Sequence, residues 1–86
     1  MQIAYSAKFI KQYRKMSGEI KGVAEKKENI FRSNPFDPSL KTHKLNGRFE
    51  GFWAFSINYK YRIVFDFEEN GKDVRFHIIG THDIYE

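Results

Sequence analysis

Cysteine is absent from this chain, and its absence excludes both a disulfide framework and a thiolate metal site. A protein without disulfides fits a reducing cytoplasm. No apolar run approaches the roughly 18 residues of a membrane span. The first residues also lack the charged-then-apolar layout of a signal peptide. We therefore expect a cytoplasmic protein that does not associate with a membrane.

Familiar catalytic and cofactor motifs are missing too. The sequence contains no Ser-His-Asp pattern, no His-Glu-x-x-His motif, no P-loop and no glycine-rich dinucleotide motif. Its three histidines, His43, His77 and His82, lack the i, i+4 spacing of common metal ligands. We therefore expect neither a metal ion nor a cofactor.

What the chain does have is aromatic residues, which make up 17% of its 86 positions. That length and content predict one domain, residues 1–86, with a single hydrophobic core. The most strand-prone stretch runs from Phe52 to Phe67 and is interrupted at residues 58–60. Alternation within this stretch predicts two hairpin strands whose odd-numbered side chains, Trp53 among them, form one apolar face.

Two helices are predicted ahead of this hairpin. Ser6 stands where a helix cap is expected, and apolar residues recur at helical spacing from Ala7 onward. Ser17-Gly18 interrupts this pattern, and a second helix follows. It should end before Pro35, because the residue preceding a proline avoids the helical region.

The remaining strands complete the expected fold. They lie at residues 2–5, 41–45 and 74–79, and the last has Val74, Phe76 and Ile78 on its core face. The order β-α-α-β-β-β-β predicts an α+β fold in which two N-terminal helices pack on one face of a small antiparallel sheet. The other face of the sheet is expected to be open.

Charge is distributed unevenly along the chain. Residues 1–48 contain 11 lysines and arginines against four acidic residues, whereas residues 49–86 contain four against seven. A basic half of this kind suits a polyanionic partner such as RNA, or an acidic protein partner. Lysines on helices also serve solubility, so the pattern by itself does not choose between these roles.

Arg62 is the most informative charged residue, because alternation places it mid-strand on the predicted open face. A guanidinium held there can grip an anion; the alternative is a solvated arginine paired with a carboxylate such as Asp66. Histidines and arginines without a metal cage suit RNA cleavage through the 2′-hydroxyl. Histidine can transfer the protons, and arginine can stabilise the charged phosphorane.

Three short motifs, residues 42–47, 61–65 and 79–83, resemble those of the RelE/ParE superfamily of toxin–antitoxin toxins. The resemblance spans essentially the whole chain and is greatest to the RelE and YafQ mRNA interferase branches. It implies a RelE-like fold and an endoribonuclease that cuts mRNA in the ribosomal A site. It also implies a cognate antitoxin, together with contacts to the ribosome and its rRNA.

The resemblance implies site residues as well. Arg62 matches the phosphate-binding strand arginine, His82 a catalytic histidine, His43 a further functional histidine and Tyr85 the terminal aromatic that stacks on or orients the substrate. Of the RNA-binding candidates, Arg75 and His77 are interpreted mainly as surface residues, with Arg75 in reach of a phosphate. The full RNA-binding set is Lys41, Lys44, Arg48, Lys60, Arg75 and His77.

The sequence also departs from these branches. Ser56 and Lys60 stand where YafQ-like members carry a histidine and an aspartate, and the glutamate base of YoeB-like members has no counterpart. The identity of the general base therefore stays open. Two alternatives remain for the function: a ParE-like toxin that poisons DNA gyrase, and a non-catalytic module that only binds an antitoxin.

Overall fold

A five-stranded sheet covered on one face by two helices forms the body of the protein. The computed structural model describes residues 1–81 and 83. The helices are α1 (Ala7–Arg14) and α2 (Gly18–Ser33). The strands are β1 (Ile3–Tyr5), β2 (His43–Lys44), β3 (Trp53–Ser56), β4 (Tyr61–Phe67) and β5 (Val74–Thr81). Within this described part, no helix is both long and apolar enough to cross a membrane.

The strand order in the sheet is β1-β5-β4-β3-β2. The predicted α+β fold, the element order and the helices on one face are confirmed. The sheet is mixed, however, and not wholly antiparallel, because β1 pairs with β5 in parallel. Short hairpins force antiparallel pairing only on strands that they join directly. Both helices and three strands separate β1 from β5, so their relative direction is not constrained by a turn.

Serine caps start both helices, as the sequence predicts for the first. The Ser6 hydroxyl accepts a hydrogen bond from the Phe9 backbone N–H at 2.9 Å and donates one to the His77 carbonyl at 2.8 Å. Ser17 caps α2 in the same way, accepting from the Ile20 N–H at 3.2 Å. A capping serine satisfies backbone donors that the helix leaves unpaired. Through its second bond, Ser6 also fastens α1 to β5.

The main core lies between the helices and the sheet, and a cluster of phenylalanines forms its centre. The ring of Phe31 on α2 stacks on Phe55 at 4.7 Å between centroids and meets Phe65 edge-on at 4.9 Å. The odd-numbered side chains of β3 and β4 all face this core, which confirms the predicted parity. Trp53 lies at its margin, half-buried against Phe36 and Phe67.

A β-bulge in β5 changes which residues face the core. Val64 pairs with Ile78, but the next residue of β4, Phe65, pairs with Phe76, so His77 is an extra residue on its strand. An extra residue reverses the alternation beyond it. Ile79 is therefore the core residue, at 1% exposure, and the prediction that Ile78 faces the core is wrong.

The second face of the sheet is not open at its centre, in contrast to the prediction. A smaller apolar cluster of Leu45, Ala54 and Val64 is buried there. Phe49, Phe52 and Ile78 pack against this cluster. The segment between β2 and β3 supplies several of these side chains, because it folds back over the sheet instead of extending as a strand. For the same reason β2 is only two residues long, shorter than the predicted 41–45.

Candidate functional site

Arg62 lies near the start of β4, opposite Ser56 on β3 and Gly80 on β5. Its Nη1 donates to the carbonyl of Asn58 at 2.8 Å and to that of Tyr61 at 3.1 Å. The guanidinium thus turns toward the β3–β4 connection and is not paired with Asp66. That carboxylate is engaged elsewhere, with the His77 ring. Within the described residues, Arg62 makes no ion pair.

Around this guanidinium lies a cavity of about 160 Å³, here called the basic cleft. It is lined by Lys27, Ser39, Lys41, Ser56, Ile57, Asn58, Tyr59 and Arg62. Three of these residues are cationic and none is acidic. An anion entering the cleft would meet three positive side chains: Lys27 from α2, Lys41 directly after the short 3₁₀ helix Pro38–Leu40, and Arg62 from β4. The arrangement is therefore suited to binding a phosphate.

The loop on one side of the cleft is held by hydrogen bonds. Asn58 Oδ1 accepts from the backbone N–H groups of Lys60 at 2.9 Å and Tyr61 at 2.7 Å. An asparagine side chain that bonds its own backbone in this way rigidifies a turn. At the tip of the turn, the side chain of Tyr59 is 89% exposed.

The opposite wall is fixed by Asp37 and Ser39. The Ser39 hydroxyl donates to Asp37 Oδ1 at 2.7 Å, and the Ser39 N–H donates to the same oxygen at 2.9 Å. These two bonds lower the pKa of Asp37, with a smaller contribution from Lys27. Lys41 follows in the left-handed region, at φ 53°. That backbone turn directs the chain from the 3₁₀ helix into β2.

His43 is hydrogen-bonded to the backbone of Lys41, one of the residues that line the basic cleft. Its Nδ1 is 3.0 Å from the Lys41 carbonyl oxygen, which can only accept a hydrogen bond. Nδ1 must therefore carry the proton, and in the neutral ring Nε2 holds the lone pair. Because His43 pairs with Ala54, two residues before Ser56, its side chain shares the face of Arg62. This tautomer is the one that a proton acceptor at Nε2 requires.

The other RNA-binding candidates lie at several places. Lys44 is 5.4 Å from the Trp53 ring, Lys60 is 5.7 Å from Tyr61, and Arg48 is 5.2 Å from Phe49. Lys44, at the end of β2, and Arg48, in the short 3₁₀ helix Gly47–Phe49, are exposed, and only Lys41 of the candidate set lines the cleft with Arg62. The structure therefore brings Lys41 and Arg62 together in the cleft, links His43 to it through the Lys41 carbonyl, and leaves the other described candidates outside.

Arg75 and His77 are occupied by carboxylates. Arg75 Nε is 3.4 Å from Glu68, and His77 Nε2 is 2.7 Å from Asp66. Both pairs lie toward the end of β4 away from Arg62. His82 and Tyr85 fall outside the described residues. Within the part of the chain that is described, no group of three or more His, Cys, Asp or Glu residues is placed to hold a metal.

Six of the eight residues that line the cleft were not among the sequence-derived candidates, and Lys27 and Tyr59 are two of them. Lys27 is one of several lysines on α2, and nothing local separates it from its neighbours. Tyr59 could have been noticed, because an aromatic residue inside a polar break between strands has no core to enter. Its position within the interruption at residues 58–60 was the available signal.

Comparisons with known proteins identify the fold. No family model matches the chain, and no curated protein matches it. YafQ from E. coli strain BL21(DE3) matches with a TM-score of 0.78 at 19% identity, over 95% of this chain and 93% of that one. A YoeB/ParE toxin from Agrobacterium tumefaciens gives a TM-score of 0.79 at 16% identity, over 95% and 99%. The RelBE2 toxin–antitoxin complex of Mycobacterium tuberculosis gives 0.75 at 12%, over 94% and 96%.

These matches cover nearly all of each chain, so they concern the whole fold and not one motif. The RelE-like toxin fold expected from the sequence resemblance is confirmed. One fold hosts several activities, and the chemistry must be argued from the residues of the site.

Proposed function

We propose that this chain is the toxin of a type II toxin–antitoxin system and acts as a ribosome-dependent mRNA endoribonuclease. The observation that carries the proposal is the basic cleft. It contains Arg62 and two lysines, and the carbonyl of one of them, Lys41, accepts a hydrogen bond from Nδ1 of His43, which leaves that ring in the tautomer of a base. The toxin fold supports the same class of function. The reaction proposed is metal-independent.

In the proposed reaction, the 2′-oxygen of one ribose replaces the 5′-oxygen of the next nucleotide on phosphorus. The 2′-hydroxyl oxygen bonds to phosphorus, and its proton passes to Nε2 of His43. Arg62 and the lysines Lys27 and Lys41 stabilise the additional negative charge of the phosphorane. The bond from phosphorus to the 5′-oxygen then breaks, and that oxygen takes a proton from His82, the acid implied by the resemblance. The products are a 2′,3′-cyclic phosphate and a 5′-hydroxyl end.

Tyr85 completes the proposed site as the terminal aromatic that orients the substrate. The general base, which the sequence left open, is assigned to His43 on the strength of its tautomer. Lys44, Arg48 and Lys60 stay in the proposal as contacts to RNA outside the cleft. The ribosome and its rRNA are the proposed setting, with cleavage in the A site of a translating complex.

A cognate antitoxin is the proposed protein partner. The RelBE2 structure is a toxin–antitoxin complex, and this chain has the same fold. The basic first half of the sequence suits an acidic or amphipathic antitoxin segment that folds on binding. Charge complementarity of that kind makes association fast and dependent on salt.

Brief induction in a bacterial host tests the proposal. Protein synthesis should stop before DNA synthesis, and primer extension should find mRNA cut at codon-phased positions. Induced His43→Gln is the matched control, since glutamine retains a polar side chain but cannot take up the proton. It should lose roughly 10²–10⁴ in cleavage rate.

Two results would redirect the assignment. Intact mRNA together with trapped gyrase–DNA complexes would identify a ParE-like toxin, which shares the fold. Intact mRNA, undisturbed gyrase and normal growth, with antitoxin binding retained, would identify a non-catalytic antitoxin-binding module.

A further inference from the structure

Tyr59 occupies an unusual position for an aromatic residue. It is 89% exposed, whereas the next most exposed large apolar residue among those described, Phe36, is 52% exposed and packs on Trp53 and Phe67. Within the described residues, the ring of Tyr59 makes no aromatic contact. The fold therefore gains almost no buried area from this ring, and packing does not account for its presence there.

The turn that carries Tyr59 is nevertheless rigid. Asn58 bonds the backbone of the two residues after Tyr59, and the Arg62 guanidinium donates to the Asn58 carbonyl. The ring is thus presented by a braced turn, and the group that braces it is the central cation of the basic cleft. Tyr59 itself lines that cleft together with Lys27 and Lys41.

An exposed aromatic face beside a row of cations is how proteins bind single-stranded nucleic acid. The cations hold phosphates, and the ring stacks on a base of any identity. An acidic peptide would be attracted by the same cations, but it would offer no planar partner for the ring. The juxtaposition of ring and cations therefore favours RNA.

We infer that Tyr59 is a stacking platform for a base of single-stranded RNA whose phosphate lies in the basic cleft. This inference rests on the proposed function for the origin of the RNA, which is the message to be cut. In this inference, the β3–β4 turn positions the nucleotide that lies next to the scissile phosphate. Because stacking tolerates every base, the platform would position the strand without selecting its sequence.

The test measures binding without cleavage. A fluorescein-labelled 2′-O-methyl decauridine lacks the attacking hydroxyl, and an abasic ribose–phosphate oligomer of the same length supplies the charge without the bases. Binding of the parent, Tyr59→Phe and Tyr59→Ala is followed by fluorescence anisotropy. Tyr59→Phe should bind both probes like the parent. Tyr59→Ala should bind decauridine roughly 5- to 150-fold more weakly, yet bind the abasic probe unchanged.

Lys27→Gln provides the matched comparison, because it should weaken binding to both probes. Three results would overturn the inference: equal binding of decauridine by the parent and Tyr59→Ala, an equal loss on both probes, or no parental binding to decauridine. If Tyr59→Ala weakens binding to decauridine but not to the abasic probe, while mRNA stays intact in induced cells, the stacking inference stands and only the proposed ribonuclease activity is contradicted.

Discussion

At the scale of single residues, Arg62 has a structural role and, in the proposed function, a chemical one as well. Its guanidinium braces the β3–β4 turn through two carbonyls and still faces the basic cleft. Arg62→Ala should therefore reduce mRNA cleavage about 10²–10³-fold and lower the free energy of unfolding by about 1–2 kcal/mol. Primer extension and urea unfolding measure the two effects separately.

Arg62→Lys is the control for this variant. Lysine keeps the positive charge but lacks the planar fork that reaches two carbonyls, so cleavage should fall less than in the alanine variant. Complete unfolding of Arg62→Ala would show that the arginine is chiefly structural. Full cleavage activity in a folded Arg62→Ala would exclude it from phosphate binding.

The residues of the site were only partly accessible from the sequence, for a physical reason. Arg62 and His43 sit in motifs that resemble a known family, and strand alternation assigns their face. The cleft, however, forms at the end of the hairpin, where Lys27 on α2 meets a turn more than 30 positions later in the chain. Alternation specifies which face a side chain takes, but not which distant helix approaches the end of a strand.

At the scale of elements, the bulge in β5 predicts that Ile79 contributes more to stability than Ile78. Simple alternation along the strand predicts the opposite. Ile79→Ala should cost about 2–5 kcal/mol, because the side chain is buried in the main core and its loss leaves a cavity. Ile78→Ala should cost clearly less, since this side chain is only partly buried at the smaller cluster. Urea unfolding of the two variants compares the same chemical change at adjacent positions. An equal or larger cost at Ile78 would contradict the bulged register.

Helix ends could be predicted from the residues at those ends, whereas strand register and direction, which depend on the partner strand, could not. The Ser6 cap and the end of α2 before Pro35 follow from the residues themselves. The extra residue His77 is visible only once β4 and β5 are aligned. The pairing of β1 with β5 is likewise not visible in the sequence, because the two strands are distant in the chain. The three residues of β1 also do not indicate whether the pairing is parallel or antiparallel.

Strand β1 is tied to the rest of the sheet by a carboxylate. Asp73 accepts from the Gln2 N–H at 2.8 Å and from the Asn70 side chain at 3.0 Å, and these bonds lower its pKa below the ordinary 3.8. A lowered pKa means that the ionised form stabilises the fold. That stabilisation is complete above pH 3.8 and is lost as the pH falls through the lowered pKa.

The stability of Asp73→Asn should therefore change less with acidic pH than that of the parent. Between about pH 5 and pH 2, its melting temperature should fall less than that of the parent. Glu69→Gln in the same turn is the matched control and should keep the parental dependence, because Glu69 makes no hydrogen bond within the described residues. An unchanged acid profile in Asp73→Asn would show that the carboxylate contributes nothing to holding β1.

At the scale of the whole molecule, charge is arranged along β4. The basic cleft lies at the β3–β4 end, whereas Asp66, Glu68 and Asp73 lie toward the β4–β5 end. The seven residues of β4 separate these ends by about 20 Å, which exceeds the roughly 8 Å Debye length at physiological salt. The acidic end is therefore largely screened from the cleft, and an approaching polyanion would respond to the placement of charge more than to the net value of +4.

Two neighbouring lysines make it possible to test whether RNA binding depends on the position of a charge or on the net charge of the protein. Lys27→Gln and Lys26→Gln remove the same single charge from α2, but only Lys27 lines the cleft, and Lys26 is exposed. Lys27→Gln should weaken binding to single-stranded RNA and reduce the slope of log affinity against log salt by roughly 0.7, the value of one lost phosphate contact. Lys26→Gln should leave that slope unchanged. Anisotropy titrations at several salt concentrations give both slopes, and equal slopes for the two variants would mean that RNA responds to total charge and not to the cleft.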